Sequence, residues 1–570
     1  DYKHEKMLRA FNTLYAEYEI IKNLKFKTTF SYDYTTVKGE KWYDPRTSNG
    51  EDENGEVVKR IREYKKMVWS NTLSYLTTFN NIHHLDFLAG YEIDDTYNDY
   101  LSGEAYNFTT PDKHAISNGM KTVSVGGSDS RYRLVSYLSR LNYDYKNKYY
   151  LGASFRVDGS SRLHRDNRWG TFWSVSGAWR TIEEEFMQPV KDWLTDLRIR
   201  ASYGVNGTLP SDYFGYMGLS SISGGYLEQP GIQMSQIANP NLKWETNYNM
   251  NIGLDFGFWD RLNFTIEYYT RTTKNLLMDC PVSMTTGFSS YLMNIGEVKN
   301  KGIELTINST NIKIKDFNWN TTFNLGHNSN KVVKLDGEQT QIVSGTQIHK
   351  VGSSYRTFYV QEFAGINPET GNPLFYTNEL DENGNYIKEI TENSKNAQFI
   401  PYKHAEPTVN GGISNSLRYK WLDLNFLFSY QFGGYSYDTW AQKTEHGGYD
   451  SYANIPTYYR DSWKKPGDQT NIEVYMPGKS SSVSMHKITS SRRIHSTDYF
   501  RLKNITFGIT LPKEWTNKIN IGNVRFYASA SNLWTWAAYD NYDPEAVSAG
   551  SATQTTPPLK TVTFGLNINF

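Results

Sequence analysis

The stretch Leu559-Lys560-Thr561-Val562-Thr563-Phe564-Gly565-Leu566-Asn567-Ile568-Asn569-Phe570 closes the chain and decides its fold class. Val562, Phe564, Leu566, Ile568 and Phe570 alternate with Thr561, Thr563, Gly565, Asn567 and Asn569. Period-two alternation puts all the apolar side chains on one face of a strand and the polar ones on the other. A strand crossing a bilayer needs about 9–11 such residues, apolar toward lipid and polar toward the lumen. The segment therefore predicts a strand of a transmembrane barrel that closes the chain on an aromatic, Phe570.

Composition is consistent with this. The 570 residues exceed one ordinary soluble core, whereas a large barrel closes a single continuous sheet. Lys+Arg and Asp+Glu are both 60, so no basic field favours nucleic acid. Mean hydropathy is −0.64, and no apolar run approaches the roughly 18 residues of a membrane helix. Tyr 44, Phe 28 and Trp 15 make the chain 15% aromatic. Such rings gather in girdles at membrane interfaces, though an aromatic-rich soluble β-protein shares that composition. The single cysteine, Cys280, allows no disulfide within the chain. Asp1-Tyr2-Lys3-His4 has neither initiator Met nor signal h-region, so the chain is expected to begin within a longer protein.

Alternation recurs about 17 times. Leu24, Phe26, Thr28, Phe30 and Tyr32 form one set; Leu85, Phe87, Ala89 and Tyr91 another. Leu422, Leu424, Phe426, Phe428, Tyr430 and Phe432 form the longest. Short hairpin turns are predicted near 21–23, 80–83, 146–147, 259–261, 311–316 and 419–421. The intervening loops are predicted at 36–65, 96–130, 206–245, 273–299, 328–406, 433–497 and 534–557, with one short loop at 158–168. Short turns on one side and long loops on the other match a barrel with periplasmic turns and extracellular loops. That parity sends strand seventeen, and the C-terminus, toward the periplasm. An odd strand number conflicts with the even number usual in bacterial barrels, which again points to missing sequence ahead of Asp1.

The segment 155–180 reads FRVDGSSRLHRDNRWGTFWSVSGAWR. Its Arg156, Asp158, Gly159, Ser160, Ser161 and Arg162, then Asn167, Arg168, Trp169 and Gly170, resemble the motif turn of the SusC/RagA family of TonB-dependent outer-membrane transporters. Leu163 and Trp173 depart from the usual Phe and Pro. The segments Asn239–Glu245, Asn300–Leu305, Gly365–Gly371, Arg501–Thr506, Tyr542–Glu545 and the final T-F-G-L-N-x-x-F also resemble that family.

The resemblance implies an all-β, plugged barrel of about 22 strands. Residues 1–570 would be its C-terminal portion, lacking the plug, the TonB box and about five strands. The remainder would form a separate chain. The resemblance also implies import of a large nutrient at the bacterial outer membrane, with no bond broken. The partners it implies are a SusD-like lipoprotein lid and TonB with its inner-membrane energising proteins. Either an oligosaccharide or an oligopeptide substrate fits.

No H-E-x-x-H or G-x-S-x-G pattern supports catalysis, and no cofactor or metal site is predicted. The acidic runs Glu51–Glu56 and Asp381–Asn385 lack calcium-loop spacing and read as turns. Candidate substrate or lid contacts are the loop aromatics Tyr435, Tyr437, Trp440, Trp534, Trp536, Tyr539 and Tyr542. An aromatic girdle is the alternative reading of the same rings. A soluble adhesin or glycanase is the remote alternative for the whole chain.

Overall fold

The computed structural model describes residues 1–226, 229–335, 340–448, 454–477, 485, 488–516, 518, 521–553 and 555–569. Phe570 lies outside the described residues. Seventeen strands belong to one antiparallel sheet, and no described helix is long and apolar enough to cross a membrane. The chain divides into two units.

The first unit comprises Asp1–Trp179, Ala201–Asn249 and Thr273–Ile295. Its meander runs β1 (Tyr2–Ile21), β2 (Leu24–Tyr43), β3 (Glu56–Phe79), β4 (His83–Phe108), β5 (Gly119–Tyr145), β6 (Tyr149–Ser160) and β7 (Trp169–Trp179). Each pairs antiparallel with the next. Three strands contribute residues to both units: β8 (Leu194–Thr208), β9 (Glu245–Phe258) and β10 (Leu262–Lys274).

The second unit comprises Arg180–Arg200, Met250–Thr272 and Gly296–Phe570. It holds β11 (Glu297–Lys313), β12 (Phe317–Lys334), β13 (Val409–Tyr419), β14 (Leu422–Phe432), β15 (Tyr499–Thr510), β16 (Asn523–Ala537) and β17 (Thr561–Asn569). These too pair in sequence order.

The tight turns form where the chain accepts left-handed backbone. Asn23, Asn80, Asn81, Lys146, Asn147, Trp259, Asp260 and Lys420 all have φ between +50° and +72°, the conformation two-residue hairpins require. Two connections on the short-turn side are longer than the sequence predicts. Residues 180–193 form two 3-10 turns that include Glu183 and Glu185, and 511–522 carry a short helix.

The predicted loops 36–65 and 96–130 are mostly strand. β2 extends to Tyr43, β3 starts at Glu56, β4 extends to Phe108, and β5 starts at Gly119. Apolar alternation ends there because both faces meet water, yet the backbone ladder continues through polar residues.

Burial inverts the soluble pattern. Leu151 is 62% exposed and Phe564 80%. An apolar face left open along strand after strand is what a lipid-facing barrel surface requires. Buried apolar clusters are small and lie at strand ends or within the long connections. One is Trp42, Val57, Ala105 and Phe108 at the far ends of β2–β4.

Candidate functional site

In the first unit the motif turn folds back on the segment Asn239–Glu245. The amide of Asn167 donates to Pro240 O at 2.9 Å, and Trp244 Nε1 donates to Arg168 O at 3.0 Å. Leu163, Phe172, Leu242 and Trp244 then form one buried cluster, so two separate motifs build one small core. Asp158 accepts from Arg156 Nε at 2.7 Å, and Arg156 Nη2 donates to Ser136 Oγ at 2.8 Å. The Arg162 guanidinium lies 4.0 Å and 4.4 Å from the ring centroids of Tyr132 and Tyr213. At Gly159 an added Cβ would meet the Trp169 ring at 2.6 Å; glycine is needed so that the indole can lie across the strand. The turn is a structural clasp.

In the second unit the predicted aromatics separate into three groups. Tyr437 is 1% exposed, in a cluster with Phe358 and Val360 against which Tyr435 packs. Tyr437 therefore has no surface to offer a substrate, contrary to the sequence-based expectation. Trp534 and Trp536 sit opposite Leu502 and Phe500 on the apolar face of the sheet. By strict alternation they share the face of Phe526, Ala528 and Ala530, and the register shift between Leu502 and Asn504 brings Leu502 and Phe500 onto that face beside them. At 50% and 49% exposed they match the girdle alternative.

Trp440, Tyr539 and Tyr542 converge around Asp438. Asp438 Oδ1 accepts from Ala441 N at 2.8 Å, capping helix α1 (Thr439–Thr444). Its Oδ2 accepts from Tyr539 Oη at 3.0 Å. The Tyr539 ring stacks 3.7 Å from His495. Burial pushes the His495 imidazole down to about 4, opposed by the Asp438 charge. Burial likewise pushes the Tyr542 hydroxyl up to about 12. Above this layer lies a concavity of about 590 Å³ bordered by Trp440, Trp536, Asp540, Asn541 and Tyr542.

Arg501, at the foot of that concavity, is 2% exposed. It pairs with Asp543 at 2.6 Å and with Glu545, and Lys503 reaches Glu545 at 2.8 Å. Two segments singled out separately in the sequence thus close on one another. Deeper in the loops, Arg492 Nη1 meets buried Glu473 at 3.1 Å, and Arg493 pairs with Glu445. Sequence reasoning missed Asp438; its one signal is an Asp just before a short helical run. Among the described residues, no three His, Cys, Asp or Glu side chains converge as a metal site.

Comparison with known proteins agrees with this architecture. Residues 8–378 match the family model described as "TonB dependent receptor-like, beta-barrel". The chain is 32% identical to "TonB-dependent receptor P3" of Formosa agariphila over 98% of its own length and 57% of the relative's. It is 29% identical to "TonB-dependent receptor SusC" of Bacteroides thetaiotaomicron, over 91% of its own length and 51% of that protein's. The chain thus spans little more than half the length of these curated relatives. It superposes with a TM-score of 0.89 and 26% identity on a chain of the solved structure titled "Structure of the RagAB peptide transporter", covering all of this chain and 62% of that one. The chain belongs to the TonB-dependent receptor-like β-barrel family of outer-membrane proteins and is of the SusC/RagA type its motifs resemble.

Proposed function

We propose that this chain is the C-terminal barrel portion of a TonB-dependent importer that carries a large nutrient across the bacterial outer membrane. The supporting observation is the contrast between the two sets of connections in the second unit. Residues 314–316 and 420–421 make tight turns, whereas the long connections carry their own buried clusters, Phe358/Val360/Tyr437 and Phe375/Ala397/Met485/Ile488. Loops with cores of their own make a firm platform for substrate and for a SusD-like lipoprotein lid. Lid and plug act as bistable elements biased by substrate and by TonB, with its energising proteins, and no bond is broken. The plug and the first strands come from further sequence. Every residue of β1 is exposed along its 20-residue length, as a strand awaiting a neighbour would be. On this reading the C-terminus is periplasmic.

The concavity beside Trp440 favours an oligosaccharide. The exposed Trp440 ring suits the apolar face of a sugar, and Asp540 and Asn541 can take hydroxyl hydrogen bonds. An oligopeptide is the second reading, favoured by the likeness to the RagAB peptide transporter. Titration of the complete transporter with neutral oligosaccharides and with mixed peptides separates them. Trp440→Ala is expected to weaken the sugar about tenfold, or roughly 1.4 kcal/mol. An undiminished sugar affinity would remove Trp440 from the site, and peptide binding alone would select the second reading.

A further inference from the structure

The concavity beside Trp440 has a neighbour. A second concavity of about 310 Å³ shares Asp438, Trp440 and Asn541 with the first, which measures about 590 Å³. The exposed Trp440 ring therefore stands as a partition in one longer furrow. Helix α1 builds one wall of the second concavity with Trp440, Ala441 and Thr444. Residues four apart lie on the same side of a helix, and Thr444 Oγ1 donates to Trp440 O at 3.3 Å. The facing wall is Ile455, Pro456 and Tyr458, from later in the same connection.

The two concavities differ in chemistry. The Tyr458 hydroxyl donates to Glu445, so beside Ile455 and Pro456 this residue offers its ring rather than a free hydroxyl. The Asp438 carboxylate is also occupied, by Ala441 N and by Tyr539 Oη. Asn541 Nδ2 donates to Tyr539 Oη at 2.7 Å. That bond fixes the carboxamide, and its Oδ1, with no partner among the described residues, is the acceptor both concavities share. The first concavity carries Asp540, which is exposed and has no ion-pair partner among the described residues. The cation that borders it, Arg501, is already held by Asp543 and Glu545. A negatively charged ligand would meet Asp540 with no free cation beside it.

We propose that the two concavities are consecutive subsites for one uncharged oligosaccharide of at least two residues, laid across the face of Trp440. The inference rests on the oligosaccharide reading above. A sugar stacked on the indole turns its apolar face to the ring, and its neighbours along the chain fall into the concavity on either side. Asn541 Oδ1 accepts a hydroxyl where the chain crosses. Once one concavity is filled, filling the other is intramolecular, so length is rewarded beyond the worth of a single contact. A monosaccharide fills one side only. An anionic unit is rejected because like charges placed together without a compensating cation repel.

The test is ligand capture by the detergent-solubilised complete transporter, with retained species identified by mass spectrometry. The probes are size ladders of neutral sugars from starch, cellulose and mannan, each beside its counterpart oxidised at C6 to uronates. The wild type is expected to retain disaccharides and longer chains at least about tenfold over monosaccharides, and to exclude the uronates. Ile455→Asp, at an exposed position, should lower retention of the longer chains about tenfold. Asp540→Asn should admit uronates, a gain that misfolding does not mimic. Heat-modifiable gel migration checks that each variant is folded. Equal retention of every length, uronates held by the wild type as well as neutral chains, or undiminished retention in a folded Ile455→Asp overturns the inference and leaves the oligosaccharide reading standing. Where Ile455→Asp fails to fold, Asp540→Asn decides, and continued exclusion of uronates there also overturns it. Capture of no sugar at all, whether or not a tryptic peptide pool is captured, overturns the inference together with that reading.

Discussion

β4 runs 26 residues and β14 runs 11, although each carries an apolar face long enough for one bilayer crossing. The difference lies in what happens past that face. β4 stays in the sheet, and β3 pairs with it without a register break from Phe79↔His83 to Glu56↔Tyr106. Beyond β14 the chain leaves the sheet for a long connection, whose described residues include the buried Tyr437, Glu473 and Arg493. One region reaches past the membrane on backbone hydrogen bonds with exposed ion pairs across them. The other reaches past it on side-chain packing and buried ion pairs. Exposed pairs contribute about 0–1 kcal/mol, whereas losing one partner of a buried pair costs about 3–5 kcal/mol. The two regions should therefore respond very differently to single substitutions.

The largest effect is expected at Arg501. Arg501→Met removes the cation shared by Asp543 and Glu545 and leaves Glu545 with Lys503 and the Tyr499 hydroxyl. Local opening of residues 538–553, read by hydrogen exchange, should become easier by about 3–5 kcal/mol. Unchanged exchange would mean that these loops are not held by their buried charges.

The next effect is a pH dependence confined to the folded loops. The His495 imidazole is lowered to about 4 by burial and by Arg493 and Arg492, against the opposing Asp438. Its unfolded value is about 6.5, so the unfolded state binds the extra proton between those two limits. The stability is present above pH 6.5 and is lost as pH falls toward 4, by up to about 3 kcal/mol. Exchange near 494–496 should accelerate over that window in the wild type. In His495→Phe it should not, and a variant that keeps the full slope would assign the titration elsewhere.

These contrasts also explain what could be read from residues alone. Alternation through Leu85, Phe87, Ala89 and Tyr91 marked β4 because lipid demands a continuous apolar stripe. Past Ile93 both faces are wet, so Asp95, Tyr97 and Asp99 look like loop although their ladder is intact. The strand number was legible, but the extent of β2–β5 was not. Trp534 and Trp536 were legible as rim aromatics. Alternation from Phe526, Ala528 and Ala530 already puts them on the apolar face, whereas their neighbours Leu502 and Phe500 reach it only through the extra residue before Asn504. Tyr437 looks like Tyr435 in sequence. Only the long-range approach of Phe358 and Val360 makes it core. The motif segments carried more than alternation did, because Trp244 with Arg168, and Arg501 with Asp543, are bonds between distant stretches.

The smallest effect separates the two regions most sharply. Asp95 has a side chain only 11% exposed and holds both Arg131 and Arg133, so by contact number alone it resembles Arg501. Its arginines, however, are mostly in water, and screening there limits what each pair contributes. The backbone around it is already satisfied on both sides, by Met67 of β3 and Arg133 of β5. Asp95→Asn keeps an acceptor for one guanidinium and removes only the charge. Opening of residues 96–101 should therefore change by less than about 1 kcal/mol, under tenfold in exchange rate. A change as large as that at Arg501 would mean that the long strands depend on their side-chain pairs after all, and that the ladder is not what holds them past the membrane.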